Sequence, residues 1–231
     1  MYRERSEEIS TCPVCGEELF SWVLATATGT EEAPGRLVAR CENCGLGVNR
    51  QPPAPAEPEL TEEGSALRVG GLERARDLPP AFSGLANQLG PGDELAIRFP
   101  NRASLQASLG GPRWFELDAG SQRYLLTGPA LERLLRRAGL EPLGRRWLAG
   151  ASLLAMWQTA LNSLTFHRDF AWRLARRRPL GTRGPTFWLD LAITAIAGLP
   201  VVVLVCPLEC GAALAGRGGV LELRARRRAA P

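Results

Sequence analysis

The sequence predicts an α/β protein that carries a small metal-binding module at its N-terminal end. Two observations support this prediction: paired cysteines occur twice within residues 1–50, and helix and strand patterns alternate over residues 65–150. Such alternation is typical of α/β domains, in which helices pack on the strands that they connect. The chain has 231 residues, 45% of them hydrophobic, which suits one medium-sized domain and one small module.

The cysteine pairs are the most specific motif in the sequence. Cys12 and Cys15 form one C-x2-C pair, Cys41 and Cys44 form the other, and a glycine follows each pair. Two tight turns of this kind can present four thiolates tetrahedrally to one Zn²⁺ ion, with no position left open for water. We therefore predict a zinc ribbon over residues 1–50, with strands in ELFSWVLATA and GRLVARC. Unliganded thiols are the alternative, and nothing indicates a thioredoxin-like redox unit.

A proline-rich segment follows the cysteine module. Four prolines fall between residues 52 and 58. Proline lacks the backbone N–H group that helices and central strands need, so this segment can continue neither element. We predict a linker or wrapping segment over residues 51–64.

Two helices are predicted in residues 65–150. The first lies in DLPPAFSGLANQLGPG, where a proline pair opens the helix and Phe82 and Leu85 begin an apolar stripe at helical spacing. The second lies in TGPALERLLRRAGL, where Thr127 or Gly128 caps the first turn and a glycine closes the last. Both helices have the start and stop signals expected of short helices that pack on a sheet.

Strands are predicted beside these helices. ELAIRF follows the first helix after a Pro-Gly turn, and EPLGRRWL follows the second. Residues 217–231 contain GVLELRARRR, in which apolar and charged side chains alternate as they do in a strand with one buried face. The order helix, strand, helix, strand is the basis of the α/β prediction.

Residues 67–148, together with the closing GRGGVLELRARR, resemble the C-terminal half of class I S-adenosylmethionine-dependent methyltransferases. The likeness is strongest to the group that has an N-terminal zinc-binding domain. In that family a Leu-Glu-His motif precedes a helix, a Pro-Gly-Gly turn leads into the fifth strand, and Pro-Asn ends that strand. A later capped helix ends in Ala-Gly-Leu, and the cysteine pairs match the zinc module. The resemblance implies a truncated Rossmann-like half-sheet whose strands lie in the order four, five, seven, six.

The part of the family that binds the cofactor has no counterpart in this chain. The family holds S-adenosylmethionine with a strand, a glycine-rich turn and a helix N-terminus, and an acidic residue one strand later binds the ribose. Only 27 residues separate Cys44 from Leu72. Three strands with their helices need roughly 90 residues, since one strand-helix-strand unit takes about 30. Gly70-Gly71 is too short a motif to replace them, so S-adenosylmethionine is not expected to bind.

Two further positions depart from the family pattern. Arg74 stands where the family has the histidine of Leu-Glu-His, and Ser121-Gln122 stand where it commonly has Arg-His. The only histidine, His167, lies outside the matched segments and is expected to be a solvated helix residue. We therefore predict no catalytic residues, and a degenerate methyltransferase-like protein that serves as a zinc-containing interaction scaffold.

Residues 151–216 are predicted to form a hydrophobic helical insertion. The first part reads as a basic amphipathic helix with Leu154, Trp157, Leu161 and Leu164 on its apolar face; residues 151–183 hold six arginines and one aspartate. Residues 187–208 are apolar, with Asp190 as their only charge. A helical hairpin packed on the sheet or in a dimer, contact with a membrane surface, and a membrane span remain alternatives. Cys206 and Cys210 are expected to be buried free thiols.

The sequence leaves several partners open. The family's sheet order places the strand near residues 66–69 at an edge, which either the proline-rich segment or a second chain would cover. A partner chain that completes the cofactor site of a working methyltransferase is one alternative function. A nucleic-acid-binding zinc ribbon is another, but it is not favoured because the basic run at residues 224–228 lacks interleaved aromatic residues. The charged N-terminus has no secretory signal, so a cytoplasmic location is expected, with membrane association as a variant.

Overall fold

Two β-sheets and six α-helices form the part of the chain that the computed structural model describes, which is residues 9–25, 35–63, 66–178 and 184–227. The strands are β1 (Leu19–Ala25), β2 (Arg36–Cys41), β3 (Gly47–Asn49), β4 (Glu59–Glu63), β5 (Ala66–Gly70), β6 (Glu94–Pro100), β7 (Tyr124–Leu125), β8 (Leu140–Trp147) and β9 (Val220–Arg227). The helices are α1 (Leu78–Gln88), α2 (Leu105–Gly110), α3 (Gly128–Arg137), α4 (Ala149–Leu164), α5 (Phe170–Ala175) and α6 (Pro185–Leu214). The last two residues of the predicted strand ELFSWVLATA, and the last arginine of residues 224–228, lie outside the described residues.

The larger sheet has the strand order β4-β5-β6-β9-β8. β5 and β6 are parallel, whereas β9 runs antiparallel to both β6 and β8. Without β4, this order is the four, five, seven, six arrangement that the resemblance implies. The predicted mixed α/β architecture is therefore confirmed.

β4 lies within residues 51–64, which the sequence assigns to a linker. It pairs antiparallel with β5 in a register that places Leu60 opposite Val69. The prolines end at Pro58, so the backbone amides beyond it are available for pairing. The linker assignment is therefore wrong for residues 59–63, which form a strand. The expectation that the segment 51–64 covers the strand near residues 66–69 is confirmed, and β4, not β5, is the edge of the sheet.

One face of this sheet carries the core. Strand side chains alternate between the two faces, so Leu95, Ile97 and Leu223 point to the same side. They belong to one buried cluster with the apolar faces of α1 and α3, including Phe82 and Leu134. Both predicted helices are confirmed, and both pack where their apolar stripes require.

The cap of α3 is also as predicted. The Thr127 hydroxyl accepts a hydrogen bond from the Ala130 N–H at 3.3 Å, and Pro129 stands in the first turn. Gly139 follows the helix with φ +77°, a left-handed conformation that glycine adopts without strain.

The other face of the sheet is charged. Glu222 is the one buried acidic residue among the described residues of this face, with its side chain 2% exposed. The Glu222 carboxylate accepts hydrogen bonds from Arg98 at 2.8 Å and from Arg224 at 3.1 Å. The Arg146 guanidinium lies 3.2 Å from the Glu222 carboxylate, and Glu63 of β4 forms a further salt bridge with Arg98. In doubly wound folds both faces are apolar because helices cover both. This face instead has the polarity of a surface in contact with water.

The predicted amphipathic helix of the insertion is two helices. α4 ends at Leu164, and Asp169, with φ +59°, begins α5. The buried side of α4 is partly polar: the Asn162 amide donates to the Asp169 carboxylate at 2.8 Å, whereas Leu154 and Leu164 are exposed. The prediction that Leu154 and Leu164 lie on the buried face was therefore wrong. The chain reverses direction after Leu164, and the buried side of α4 next to this turn carries hydrogen-bonding groups such as Asn162.

We expect the Glu222→Gln substitution to destabilise the protein at neutral pH. Burial alone would raise the pKa of Glu222, but hydrogen bonds from Arg98 and Arg224 and the charge of Arg146 hold this pKa below its ordinary value. A lowered carboxyl pKa stabilises the fold above the unfolded pKa and ceases to do so as the pH falls through the folded pKa. The unfolding free energy should fall by about 1 kcal/mol at pH 7, because the arginines remain partly exposed.

Urea denaturation at several pH values measures this difference. The deficit of the variant should shrink as the pH falls below the ordinary value of 4.5. Glu141→Gln is the matched control, since Glu141 is more exposed and lies 3.5 Å from Arg226. A deficit that stays constant down to pH 3, or an equal deficit in the control, would contradict this description of the face.

Candidate functional site

The four paired cysteines come together in one cluster. Their Sγ atoms all lie within 4.8 Å of one another. The separations are 3.5 Å between Cys12 and Cys44, 3.3 Å between Cys15 and Cys41, and 3.9 Å between Cys15 and Cys44. Four sulfurs placed tetrahedrally at about 2.3 Å from one metal ion are about 3.8 Å apart. The cluster is therefore of the right size to hold one metal ion.

The backbone shapes both cysteine turns in the same way. The Gly16 N–H donates to the Cys12 carbonyl at 2.8 Å, and the Gly45 N–H donates to the Cys41 carbonyl at 3.0 Å. Both glycines have left-handed backbone angles, with φ +78° and +76°. A residue with a side chain would be strained there, which explains the glycine after each pair.

The thiols of the cluster have different proton affinities. A hydrogen bond from Cys44 lowers the pKa of Cys12 to about 5, and the same contact raises the pKa of Cys44. Burial raises the pKa of Cys15. Cys12 therefore loses its proton more readily than Cys15 and Cys44, and a metal ion would have to displace the protons of those two thiols.

α3 holds the cluster against the larger sheet. The Thr127 hydroxyl, which caps α3, also donates to the Cys44 carbonyl at 2.7 Å. Arg133 donates to the Asn43 side chain at 2.9 Å, and Arg137 donates to the Val14 carbonyl. Both cysteine turns are thus bound to one helix. The sequence predicts the cap but shows no sign that the same hydroxyl reaches the second cysteine turn.

The smaller sheet also joins the cysteine module to the α/β region. Its order is β1-β2-β3-β7, so a strand from the middle of the chain completes the sheet that begins at β1. Cys12, Cys41 and Cys44 belong to the same buried cluster as Leu95 and Leu134. A metal ion at the cysteines would therefore stabilise a core that includes the larger sheet.

The carboxyl end of β5 is where the resemblance would place part of a cofactor site. Gly71 has φ +79°, and a side chain there would approach the Glu57 carbonyl at 3.6 Å. The proline-rich segment is thus packed over this end, and its Ala56 N–H donates to the Arg74 carbonyl at 3.0 Å. A cavity of about 270 Å³ lies beside it, lined by residues that include Pro58, Asp77 and Leu85. This volume is below the usual lower limit of about 300 Å³ for ligand pockets.

Ser121 and Gln122 have structural contacts. The Gln122 side chain accepts from the Asp118 N–H at 2.8 Å and donates to the Glu116 carbonyl at 2.9 Å. The Ser121 hydroxyl donates to the Asp118 carboxylate at 2.8 Å. Both side chains therefore shape the loop before β7.

His167 is in a loop between α4 and α5, so its prediction as a helix residue was wrong. Its Nδ1 atom lies 2.7 Å from the Asp190 carboxylate, which is fully buried. Cys206 is partly buried and Cys210 is exposed, which corrects the expectation that both are buried. The sequence shows Asp190 as the only charge of residues 187–208 but does not indicate that His167 is its partner.

Comparison with known proteins gives limited information. No family model and no curated protein matches the chain. Among solved structures, the [4+2]-cyclase SpnF is similar at 18% identity, covering 74% of this chain and 53% of that chain, with a TM-score of 0.35. A putative sarcosine dimethylglycine methyltransferase from Galdieria sulphuraria is similar at 12% identity, covering 70% and 51%, with a TM-score of 0.37.

The chain spans about half the length of these two structures. Both TM-scores are below 0.5, so neither likeness establishes a shared fold or function.

We expect the purified protein to bind one metal ion per chain at the cysteine cluster. Cobalt loading should give the absorption of a tetrahedral thiolate site, and elemental analysis should give the stoichiometry. Cys44→Ser removes one ligand and should weaken metal binding by more than about a hundredfold, since even outer-shell changes cost ten- to a hundredfold.

Cys210→Ser is the control, because Cys210 is exposed and lies outside the cluster. It should keep the full metal content and the cobalt spectrum. Equal metal content in the two variants, or cobalt spectra without thiolate bands, would show that the cluster is not a metal site.

Proposed function

We propose that this protein is a non-catalytic, methyltransferase-like scaffold that is stabilised by a structural zinc ion. The observation that supports this proposal best is the antiparallel pairing of β4 with β5. β4 occupies the edge of the larger sheet at which, in the family that the sequence resembles, the cofactor-binding strands would follow.

In the family that the sequence resembles, the strand beyond this edge is parallel and leads into a glycine-rich turn that holds the cofactor. β4 takes that position in this chain but runs in the opposite direction. Its carboxyl end therefore lies at the wrong end of the sheet to supply a cofactor loop. The position of β4 thus supports the absence of S-adenosylmethionine binding, and with it the absence of methyl transfer.

Zinc is the metal that best suits the cysteine cluster. Four thiolates in two C-x2-C turns, without an open ligand position, are typical of structural zinc sites. Bound zinc would hold β1, β2 and α3 together through Cys12, Cys41 and Cys44, but would have no position for a substrate or an activated water. Its contribution would be to folding.

The outer edge of β4 is the surface that we propose for a protein partner. Glu59, Glu62 and Glu63 are exposed on this strand. Exposed charges on an edge strand discourage pairing with an identical strand, since two acidic edges repel each other. A partner strand with basic residues is therefore favoured over a second copy of this chain.

We expect calorimetric titration of the zinc-loaded protein with S-adenosylmethionine to give no binding heat at ligand concentrations up to about 1 mM. A dissociation constant above about 1 mM corresponds to a binding free energy weaker than about −4 kcal/mol. The physical reason is that β4 occupies the edge at which a cofactor loop would have to form.

Heat-capacity effects can hide binding at one temperature, so the titration is repeated at a second temperature. A methyltransferase with an intact cofactor loop, titrated in the same buffer, is the positive control. Binding in the micromolar range would overturn the scaffold proposal and favour a working methyltransferase, with a site rebuilt near Gly71 or across two chains.

A further inference from the structure

Helix α6 is the least explained element of the fold. It has 30 residues, which corresponds to a length of about 45 Å. Among the described residues it is the one helix that is long and apolar enough to cross a membrane, and only 11% of its most apolar window is buried. An ordinary core helix of this composition would be largely buried.

One narrow stripe of α6 is packed against the rest of the protein. Its buried residues recur at helical spacing along the whole length: Phe187, Asp190, Gly198, Val201, Val205, Glu209 and Ala212. Val201 and Val205 pack with Met156 and Leu161 of α4. α6 therefore packs on the domain along its whole length, with α4 against its middle, and does not project from the domain.

The opposite side of α6 is apolar and exposed. The exposed large apolar side chains of α6 are Trp188, Leu189, Ile196, Leu199, Val202, Val203, Leu204, Leu208 and Leu214. At 100° per residue, six of them fall within about 100° of one another and face away from the buried stripe, whereas Val202, Leu204 and Leu208 lie at the flanks of that stripe. Leu199 is 75% exposed and Ile196 is 76% exposed, far more than the isolated apolar side chains that are normal on a soluble surface.

Two buried carboxylates attach α6 to the domain near its two ends. Asp190 accepts from the backbone N–H groups of Phe166 at 2.7 Å and His167 at 2.8 Å. Glu209 accepts from the Gly219 N–H at 2.7 Å and from the Ser152 hydroxyl at 2.5 Å. A buried carboxylate without such donors would be strongly destabilising, so both contacts have to persist.

These attachments restrict how α6 can meet a membrane. The two carboxylates are 19 positions apart, or about 28 Å along the helix. This separation is close to the thickness of the hydrocarbon core, about 30 Å, so a spanning α6 would place the two carboxylates and their loops at opposite faces of the bilayer. α4, which packs on the middle of α6, would then enter the hydrocarbon region with its buried polar side chains Gln158 and Asn162, at a high cost in free energy. With both contacts kept, α6 can only lie parallel to the membrane plane.

The charges around α6 favour an anionic surface. All three acidic residues between residues 149 and 217 are buried: Asp169, Asp190 and Glu209. Arg176, Arg177 and Arg178 are exposed just before α6, and Arg217 is exposed just after it. If the α6 faces of two chains met, the described residues between 149 and 217 would bring the same arginines together and no exposed acid to pair with them. Anionic lipid headgroups supply the complementary charge.

We propose that α6 lies in the plane of an anionic lipid surface, with Leu199 and its neighbours in the acyl-chain boundary and the flanking arginines among the headgroups. Trp188, which is exposed near the basic end, would lie at the level of the headgroups. This arrangement matches that of an interfacial amphipathic helix, except that the domain itself takes the place of the polar face. It does not depend on the zinc site or on the absence of catalysis.

Co-sedimentation with vesicles tests the proposal. The full-length protein is mixed with phosphatidylcholine vesicles that contain either no charged lipid or about 30 mol% phosphatidylserine. Binding should be strong only with the anionic vesicles and should weaken as salt is added. The triple change Arg176→Gln, Arg177→Gln and Arg178→Gln should weaken binding about a hundredfold, since each basic residue near the surface contributes about one factor of five.

Two matched controls separate membrane contact from changes in net charge or surface polarity. Arg74→Gln, Arg76→Gln and Arg136→Gln remove the same charge from exposed arginines elsewhere and should reduce binding much less. The double change Leu199→Ser and Val203→Ser should weaken binding by roughly tenfold or more. Leu24→Ser with Leu143→Ser, which alters exposed leucines away from α6, should not. Circular dichroism and metal content confirm that each variant is folded.

Three outcomes would overturn the proposal. Equal binding to neutral and anionic vesicles would remove the role of the arginines. Protein that resists extraction with alkaline carbonate would indicate a spanning helix. Self-association without lipid, seen by sedimentation velocity and lost in the Leu199→Ser, Val203→Ser variant, together with no vesicle binding, would assign this face to a dimer.

Discussion

The pairing of β4 with β5 is the interaction on which the rest of the larger sheet depends. A parallel strand such as β5 would otherwise present a row of unpaired N–H and C=O groups at the edge of the sheet. β4 satisfies them with a short strand whose side chains are mostly exposed and acidic. The five strands can therefore form a sheet that has one apolar face, one charged face and an acidic outer edge.

A sheet with one covered face buries less apolar surface than a doubly wound sheet, and the cysteine module compensates for part of this difference. Cys12, Cys41 and Cys44 lie in the same buried cluster as the strands and helices of the larger sheet. Thr127 connects the cap of α3 to the second cysteine turn. We therefore expect metal binding and the folding of the α/β region to be coupled. Small cores commonly need a bound metal or a similar cross-link for stability.

Much of this fold could be predicted from the sequence, because its signals are local. The proline pair before α1, the cap at Thr127 and the alternation in β9 each depend on neighbouring residues only. The cysteine spacing was equally informative about the cluster. β4 was missed because its sequence, ELTEE, has one apolar residue and no alternation that indicates a strand, and its stability comes from pairing with β5. The attachment of α6 was missed for a related reason: the donors for Asp190 and Glu209 include backbone N–H groups of loops outside α6, which no side-chain pattern reveals.

Amide hydrogen exchange of the metal-loaded monomer tests the central claim, that β4 closes the sheet within one chain. If β4 pairs with β5 in the monomer, the backbone amides of Glu59–Glu63 and Ala66–Gly70 should be protected from exchange together, and those of β5 should be nearly as protected as those of β6. This protection should not depend on protein concentration. Rapid exchange throughout Glu59–Glu63, or protection that appears only at concentrations at which the protein self-associates, would contradict the account.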